Sequence, residues 1–317
     1  MSGVGNLAFL FPGQGSQRVG MDEGLRASGS ERLDELLAAA DDASGQPVSR
    51  YVAEGPQEDL TRTDVAQPAL FAVSLALAEL AEECGLRPDL VTGHSLGEYT
   101  AAAVSGALDP ADAMRLVCER GRLMAEIQER SPGAMAATGG VEEARLAELC
   151  AEAADGQALG AANLNSPKQI VVSGEVAAVE RLLSLLEAEP GARAKRLPVG
   201  AAFHSALMVP VRDELRGPLG EVEIAAPAVP LVANHSGRPV DDAAGVRTAL
   251  LEQIANPVRF ADCVRSLVDA GCTSFLELGP GKVLTGLVRQ VAGRETNAAA
   301  ADSRERIEAF AGASGGA

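Results

Sequence analysis

Two short stretches of this 317-residue chain hold side chains suited to nucleophilic chemistry at neutral pH. Gly93-His94-Ser95-Leu96-Gly97 follows the apolar Leu90-Val91-Thr92 and precedes a small, apolar segment at 101–107. A G-x-S-x-G turn between a strand and a helix is a nucleophile elbow. It lifts the serine hydroxyl off the backbone and aims the next N–H, here that of Leu96, at an oxyanion forming on the attacked carbonyl. The pattern recurs at Gly312-Ala313-Ser314-Gly315-Gly316, in a Gly/Ala tail with no strand before it, and 34 glycines make a chance match unremarkable. Ser95 is the candidate nucleophile and Ser314 an accident of composition.

A serine nucleophile needs a base, and the chain has three histidines. His94 adjoins Ser95 but leaves the turn in another direction. His235 lies in the polar turn Asn234-His235-Ser236-Gly237 and reads as a surface loop residue. His204 follows Gly200-Ala201-Ala202-Phe203, where a small inserted unit returns to the main body, and such junctions line clefts. Elimination leaves His204 as base, with a structural histidine as the competing reading. A second glycine-rich turn, Phe11-Pro12-Gly13-Gln14-Gly15-Ser16-Gln17, lacks both the Gly-Lys-Ser/Thr of a phosphate loop and a Rossmann glycine series. Glycines on both sides of Gln14 leave its N–H open as a second oxyanion donor; a plain tight turn is the alternative.

The elements that must position these residues can be read from periodicity and breakers. Leu7–Phe11 reads as a buried strand, 17–60 as surface helices, and 67–86 as a helix buried on most sides. Strand 90–92 leads into the elbow, and 110–129 forms a further helix. Strand 134–138, helix 141–154, strands 159–164 and 169–173, helix 176–186 and strand 194–199 follow a β-α-β-β-α-β order, the ferredoxin-like pattern. Beyond it come strand 229–232, helices near 244–254 and 258–270, strand 274–278 and a helix from Lys282; the last 25 or so residues read as fraying. The expected fold is α/β: an α/β-hydrolase-like body with a parallel sheet and nucleophile elbow (1–132 and 200–317), and a ferredoxin-like insertion (133–199).

Composition narrows the function classes. With 27 basic against 44 acidic side chains the net charge is −17, which argues against binding nucleic acid or an anionic membrane. No apolar run approaches a membrane span and no basic leader precedes residue 7, so a cytoplasmic protein is expected. Three histidines exclude a His-rich metal site. Cys84, Cys118, Cys150, Cys263 and Cys272 form no Cys-x-x-Cys pair and read as buried, unreactive thiols in a reducing compartment. Between 160 and 216 the balance reverses, with seven basic residues against six acidic. Lys168, Arg193, Lys195 and Arg196 there are expected to form a positive rim for anionic partners.

Phe11–Gln17, Gln67-Pro-Ala-Leu70, Gly93-His-Ser-Leu-Gly-Glu-Tyr99, Arg120-Gly121, Asn165-Ser-Pro167, Ala202-Phe-His-Ser205, Asn256-Pro-Val258 and Glu277-Leu-Gly-Pro-Gly-Lys282 occur in that order. Together, over residues 7 to 290, they resemble the malonyl-CoA:acyl-carrier-protein transacylases, a family that includes the acyltransferase domains of polyketide synthases. The resemblance implies ping-pong transfer from malonyl-CoA, through a malonyl ester of Ser95, to the phosphopantetheine thiol of an acyl carrier protein. His204 would be the base, and the N–H groups of Gln14 and Leu96 the oxyanion hole. The Gln253 backbone carbonyl, instead of an Asp, would orient His204. No permanently bound cofactor is implied, coenzyme A entering as a thioester, and a monomer is expected.

Arg120, by composition one more surface arginine, matches the family residue that grips the free carboxylate, and its planar fork suits two parallel hydrogen bonds. Arg122, two positions on, is the competing candidate and is expected to face solvent. Phe203 and Leu96 resemble malonyl-selective members; rejecting one extra methyl yields only about 1–3 kcal/mol, so ethylmalonyl and methylmalonyl stay open. Thr138 departs from the aliphatic residue usual there. A thioester hydrolase of the same fold and an inactive carrier-binding scaffold are the competing functions. Retention of Arg120 speaks against the first, and of Ser95 and His204 against the second.

Overall fold

The computed structural model describes residues 6–314. In chain order, β1 (Asn6–Phe11) is followed by α1 (Glu23–Ala27), α2 (Glu31–Ser44), α3 (Val48–Glu54), α4 (Gln57–Thr61) and α5 (Thr63–Glu83). Then come β2 (Leu90–Gly93), α6 (Gly97–Val104), α7 (Pro110–Arg130), β3 (Gly133–Gly139), α8 (Glu143–Ala154), β4 (Leu159–Ser166), β5 (Gln169–Glu175), α9 (Val176–Ala188) and β6 (Arg193–Arg196). A 3-10 turn at Ala206–Met208 opens α10 (Val209–Glu221), before β7 (Leu231–Val232), β8 (Pro239–Val240), α11 (Ala243–Glu252), α12 (Phe260–Asp269), β9 (Cys272–Leu278), α13 (Val283–Val291), β10 (Asn297–Ala301) and α14 (Arg304–Ser314).

Six strands form the main sheet in the order β10-β9-β1-β2-β7-β8, parallel except for the β7–β8 hairpin. Ala8–Phe11 are wholly buried, as a continuous apolar run in a sheet covered on both faces must be. β1 and β2 end together, Phe11 opposite Gly93, so the Gln14 turn and the Ser95 elbow leave the same sheet edge side by side. That is the crevice at the carboxyl ends of parallel strands where α/β sheets bind ligands. The second sheet, order β4-β5-β3-β6, is antiparallel throughout, and α8 and α9 complete the ferredoxin-like arrangement over their own apolar core.

Backbone bonds tie the small sheet to loops beyond it. Leu164 N–H donates to the Val258 carbonyl and Val258 N–H to that of Ala162, both at 2.8 Å. Gly133 N–H, at the start of β3, donates to the Gly200 carbonyl beyond the end of β6.

Four expectations change. The C-terminal segment expected to fray instead adds β10 to the sheet and α14, which buries Ile307 and Phe310. Asn-Ala-Ala-Ala-Ala carries no periodic signal, and backbone pairing with β9 decides its state. β6 ends at Arg196 and is exposed throughout. β7 is only two residues long. Finally, α5 is by length and composition apolar enough to cross a membrane, against the expectation that no run approached that; 89% of its apolar window is buried inside the protein.

Candidate active site

The elbow works because two backbones touch. A Cβ on Gly97 would lie 2.0 Å from the Phe11 carbonyl oxygen, so only glycine lets α6 start directly against the end of β1. One on Gly13 would lie 2.3 Å from the His94 carbonyl, so the Gln14 turn is pressed onto the elbow in the same way. Ser95 itself has φ of 54°, a left-handed conformation that costs a non-glycine residue of order 1–3 kcal/mol. Asn234 holds it there. Its Oδ1 accepts from Ser95 N–H and its Nδ2 donates to the Gly93 carbonyl, both at 2.7 Å.

His204 is buried and also left-handed, with φ of 57°. Its Nδ1 lies 2.7 Å from the Gln253 carbonyl oxygen, which can only accept, so Nδ1 carries the proton. Nε2 is then the free lone pair, 2.8 Å from Ser95 Oγ. Burial, and after it the positive charge of Arg120, pushes the imidazole down to about 3, so the ring is neutral and ready to accept a proton.

Arg120 is not a surface arginine. It is 1% exposed, on the inner face of α7, with Nη2 3.0 Å from Ser95 Oγ. Nη1 donates to Gln67 Oε1 at 2.6 Å, Nη2 also to Gln253 Oε1 at 3.0 Å, and the guanidinium lies over the Tyr99 ring. Among the described residues no carboxylate oxygen lies within 4.0 Å of it. Arg122 is exposed and paired with Glu119 and Glu126.

The backbone N–H groups of Gln14 and Leu96 donate to no other group among the described residues. A cavity of about 460 Å³ adjoins Gln14, lined also by Thr63, Gln128, Val199 and the nearly buried Phe203; Leu96, Ser95, His204 and Arg120 lie outside its lining. His94 points away from the hydroxyl, as expected, with Nε2 2.8 Å from Asn165 Oδ1 of β4. His235 is half-buried instead of a surface residue, and its Nδ1 has no partner among the described residues. Thr138 is buried with its hydroxyl donating across the sheet to the Ile170 carbonyl, which lets β3 carry a polar group where an aliphatic would sit. Ser314 closes α14; its side chain and residues 315–317 lie outside the described residues.

Lys168, Arg193, Lys195 and Arg196 are exposed on the small sheet; Arg196 pairs with Glu180. All five cysteines are free thiols. Four are buried and Cys84 is half-buried, and burial pushes Cys150 and Cys272 up to about 11. Among the described residues no group of three His, Cys, Asp or Glu converges as a metal site.

Three residues packed around the site were given no role by the sequence reasoning, although Gln67 and Glu98 stand within the motifs quoted there. Asn234 sits in a stretch that reads as surface turn, yet is fully buried. Glu98 is fully buried in the first turn of α6, where Oε1 accepts from Asn234 N–H at 3.0 Å; burial pushes it up to about 8. Gln67, the polar interruption in an Ala/Leu-rich helix, was the one visible signal, and its side chain meets Arg120.

The arrangement is a serine whose hydroxyl touches a neutral imidazole on one side and a buried guanidinium on the other. Comparison with known proteins places the chain in a family. The acyl transferase domain family matches residues 8–305. The malonyl CoA-acyl carrier protein transacylase of Bacillus subtilis is 41% identical over 313 residues, covering 96% of each chain. The crystal structure of the malonyl-CoA:acyl carrier protein transacylase from Xanthomonas oryzae superposes with a TM-score of 0.91 at 39% identity, over 98% of this chain and 97% of that one. A type II polyketide malonyl-transacylase solved in complex with its acyl-carrier protein reaches 0.90 at 38% identity, over 95% and 97%. The chain belongs to the acyl transferase family, among its malonyl CoA-acyl carrier protein transacylases.

Proposed function

We propose that the protein carries malonyl groups from malonyl-CoA to the phosphopantetheine thiol of an acyl carrier protein, for fatty-acid or polyketide synthesis, through a malonyl ester of Ser95. The observation that carries this reading is Arg120: a fully buried cation with no carboxylate partner, 3.0 Å from the attacking oxygen. A site for simple acyl groups has no use for that charge, whereas the free carboxylate of a malonyl thioester satisfies it.

In the loading half-reaction Ser95 Oγ bonds to the thioester carbon and passes its proton to His204 Nε2. The oxyanion lies against the N–H groups of Gln14 and Leu96. Collapse breaks the C–S bond, and His204 returns the proton to the departing coenzyme A thiolate. In the second half-reaction the carrier's thiol gives its proton to His204, its sulfur attacks the ester carbon, and Ser95 Oγ leaves with the proton. Gln253 holds the imidazole through its main-chain oxygen and takes the place of a triad carboxylate. Phe203 narrows the space beside the α-carbon and favours malonyl over its substituted forms by about 1–3 kcal/mol for one methyl.

The chain divides into a catalytic body (1–132 and 200–317) and a subdomain (133–199) whose basic residues Lys168, Arg193, Lys195 and Arg196 guide both anionic partners. It acts as a monomer in the cytoplasm with no resident cofactor. The test is a panel of acyl-CoAs with intact-mass detection: malonyl mass on Ser95, discharged by a holo acyl carrier protein, supports the reading. Rapid loss to water without a carrier points to a hydrolase, and no adduct points to a scaffold.

A further inference from the structure

We infer that Gln67 and Gln253 set the preference for a carboxylated acyl group, by gripping the Arg120 guanidinium with neutral oxygens and so leaving its charge for the substrate. The inference rests on the reading of Arg120 as the carboxylate's partner and explains what makes that arginine available.

Buried arginines are ordinarily paired with carboxylates, because an unpaired charge in a dry interior is costly. Arg120 is held differently. Gln67 Oε1 accepts from Nη1 at 2.6 Å and Gln253 Oε1 from Nη2 at 3.0 Å, and both glutamines are 0% exposed. Two amide dipoles lower the cost of burying the cation without cancelling its charge. The nearby acid, Glu98, forms no ion pair with Arg120; its Oε1 is taken by Asn234 N–H, and burial keeps it largely protonated at neutral pH.

Each amide is locked oxygen-first. Gln253 Nε2 donates to the Ser95 carbonyl at 2.8 Å, so its Oε1 has no choice but to face Arg120. Gln67 Nε2 faces Met124 Sδ at 3.4 Å, a weak acceptor, which leaves Oε1 for the guanidinium. Glutamate differs from glutamine by one atom and fits the same volume. In either position it would pair with Arg120 and confront the incoming carboxylate with a like charge. The glutamines thus recognise malonyl by what they withhold.

The experiment measures kcat/KM for loading malonyl and acetyl groups onto Ser95 by intact mass in Gln67→Glu, Gln67→Met, Gln253→Glu and Arg120→Met. Gln67→Glu should lower the malonyl-to-acetyl ratio by about a hundredfold, chiefly through KM for malonyl-CoA, as like charges facing each other in a desolvated site do. Gln67→Met keeps the volume, adds no charge and removes only one hydrogen bond to the guanidinium, so it should lower the ratio by less than Gln67→Glu does. Gln253→Glu, with its main-chain oxygen still on His204, should move the ratio the same way and supplies the answer where Gln67→Glu does not fold. A ratio unchanged in both Glu variants, or equal losses in Gln67→Glu and Gln67→Met, overturns the inference. If Arg120→Met also leaves the ratio unchanged, the carboxylate role of Arg120 falls with it; if only the Glu variants are silent, that role stands and this inference alone fails.

Discussion

Gln253 meets His204 with its main-chain oxygen, 2.7 Å from Nδ1, and so holds the imidazole without adding negative charge to it. The same residue reaches Arg120 and the Ser95 carbonyl with its side chain, so His204, Ser95 and Arg120 are tied to one point at the end of α11. A carboxylate in that place would raise the proton affinity of His204 and pair with Arg120.

Activity should persist well below neutral pH. With His204 held near 3 by burial and by the charge of Arg120, loading by the free enzyme should retain its rate at pH 5. A malonyl carboxylate on Arg120 offsets part of that charge, so the acid limb of kcat should lie at higher pH than that of kcat/KM. Rate profiles over pH 4–8 check this; coincident limbs near 6.5 would contradict it.

Stability should respond to pH through two opposed groups. His204 has a folded value below its ordinary 6.5, so the unfolded chain binds more protons between about 3 and 6.5, and stability rises with pH across that window. Glu98, raised from 4.5 to about 8, does the reverse: the folded state holds the extra proton, and stability falls as pH climbs from 4.5 to 8. Glu98→Gln should remove the second slope, moving the pH of highest melting temperature upward. A melting series across pH would show an unmoved maximum if the assignment is wrong.

Asn234→Ala removes both ties on the elbow and leaves Ser95 N–H and the buried Gly93 carbonyl without partners. The expected loss is about 1–3 kcal/mol of stability for each buried group left unpaired. The malonyl-enzyme burst should slow as well, because the strained Ser95 backbone can relax. Denaturant unfolding with rapid-quench mass measurement tests both; a full-rate burst would deny Asn234 its positioning role.

Charge reversal at Lys168, Arg193, Lys195 and Arg196 should slow transfer to an acyl carrier protein and remove much of its dependence on salt. Turnover that ignores all four reversals at low ionic strength would discard the rim.

Much of this was legible because it is local. The strand–G-x-S-x-G–helix order marks the elbow from three adjacent features, and the scarcity of histidine leaves few bases to weigh. The β-α-β-β-α-β order emerges because each of its elements carries its own period. What stayed hidden depends on contacts between distant parts of the chain. Asn234 is 139 residues from Ser95 and sits in a stretch with the composition of a surface turn. β10 is four alanines and an asparagine, made a strand only by lying beside β9. The burial of Arg120 follows from the register of α7 against α5, and only the family resemblance singled it out among the arginines.

A buried Arg120 with no carboxylate partner among the described residues, 3.0 Å from Ser95 Oγ, should select malonyl. The most direct test is the intact mass of the protein and of Arg120→Ala after brief exposure to equal malonyl-CoA and acetyl-CoA. The parent should carry malonyl on Ser95, with Ser95→Ala carrying nothing. Arg120→Ala should lose malonyl far more than acetyl; equal loss of both, or an unchanged malonyl adduct, would contradict the account.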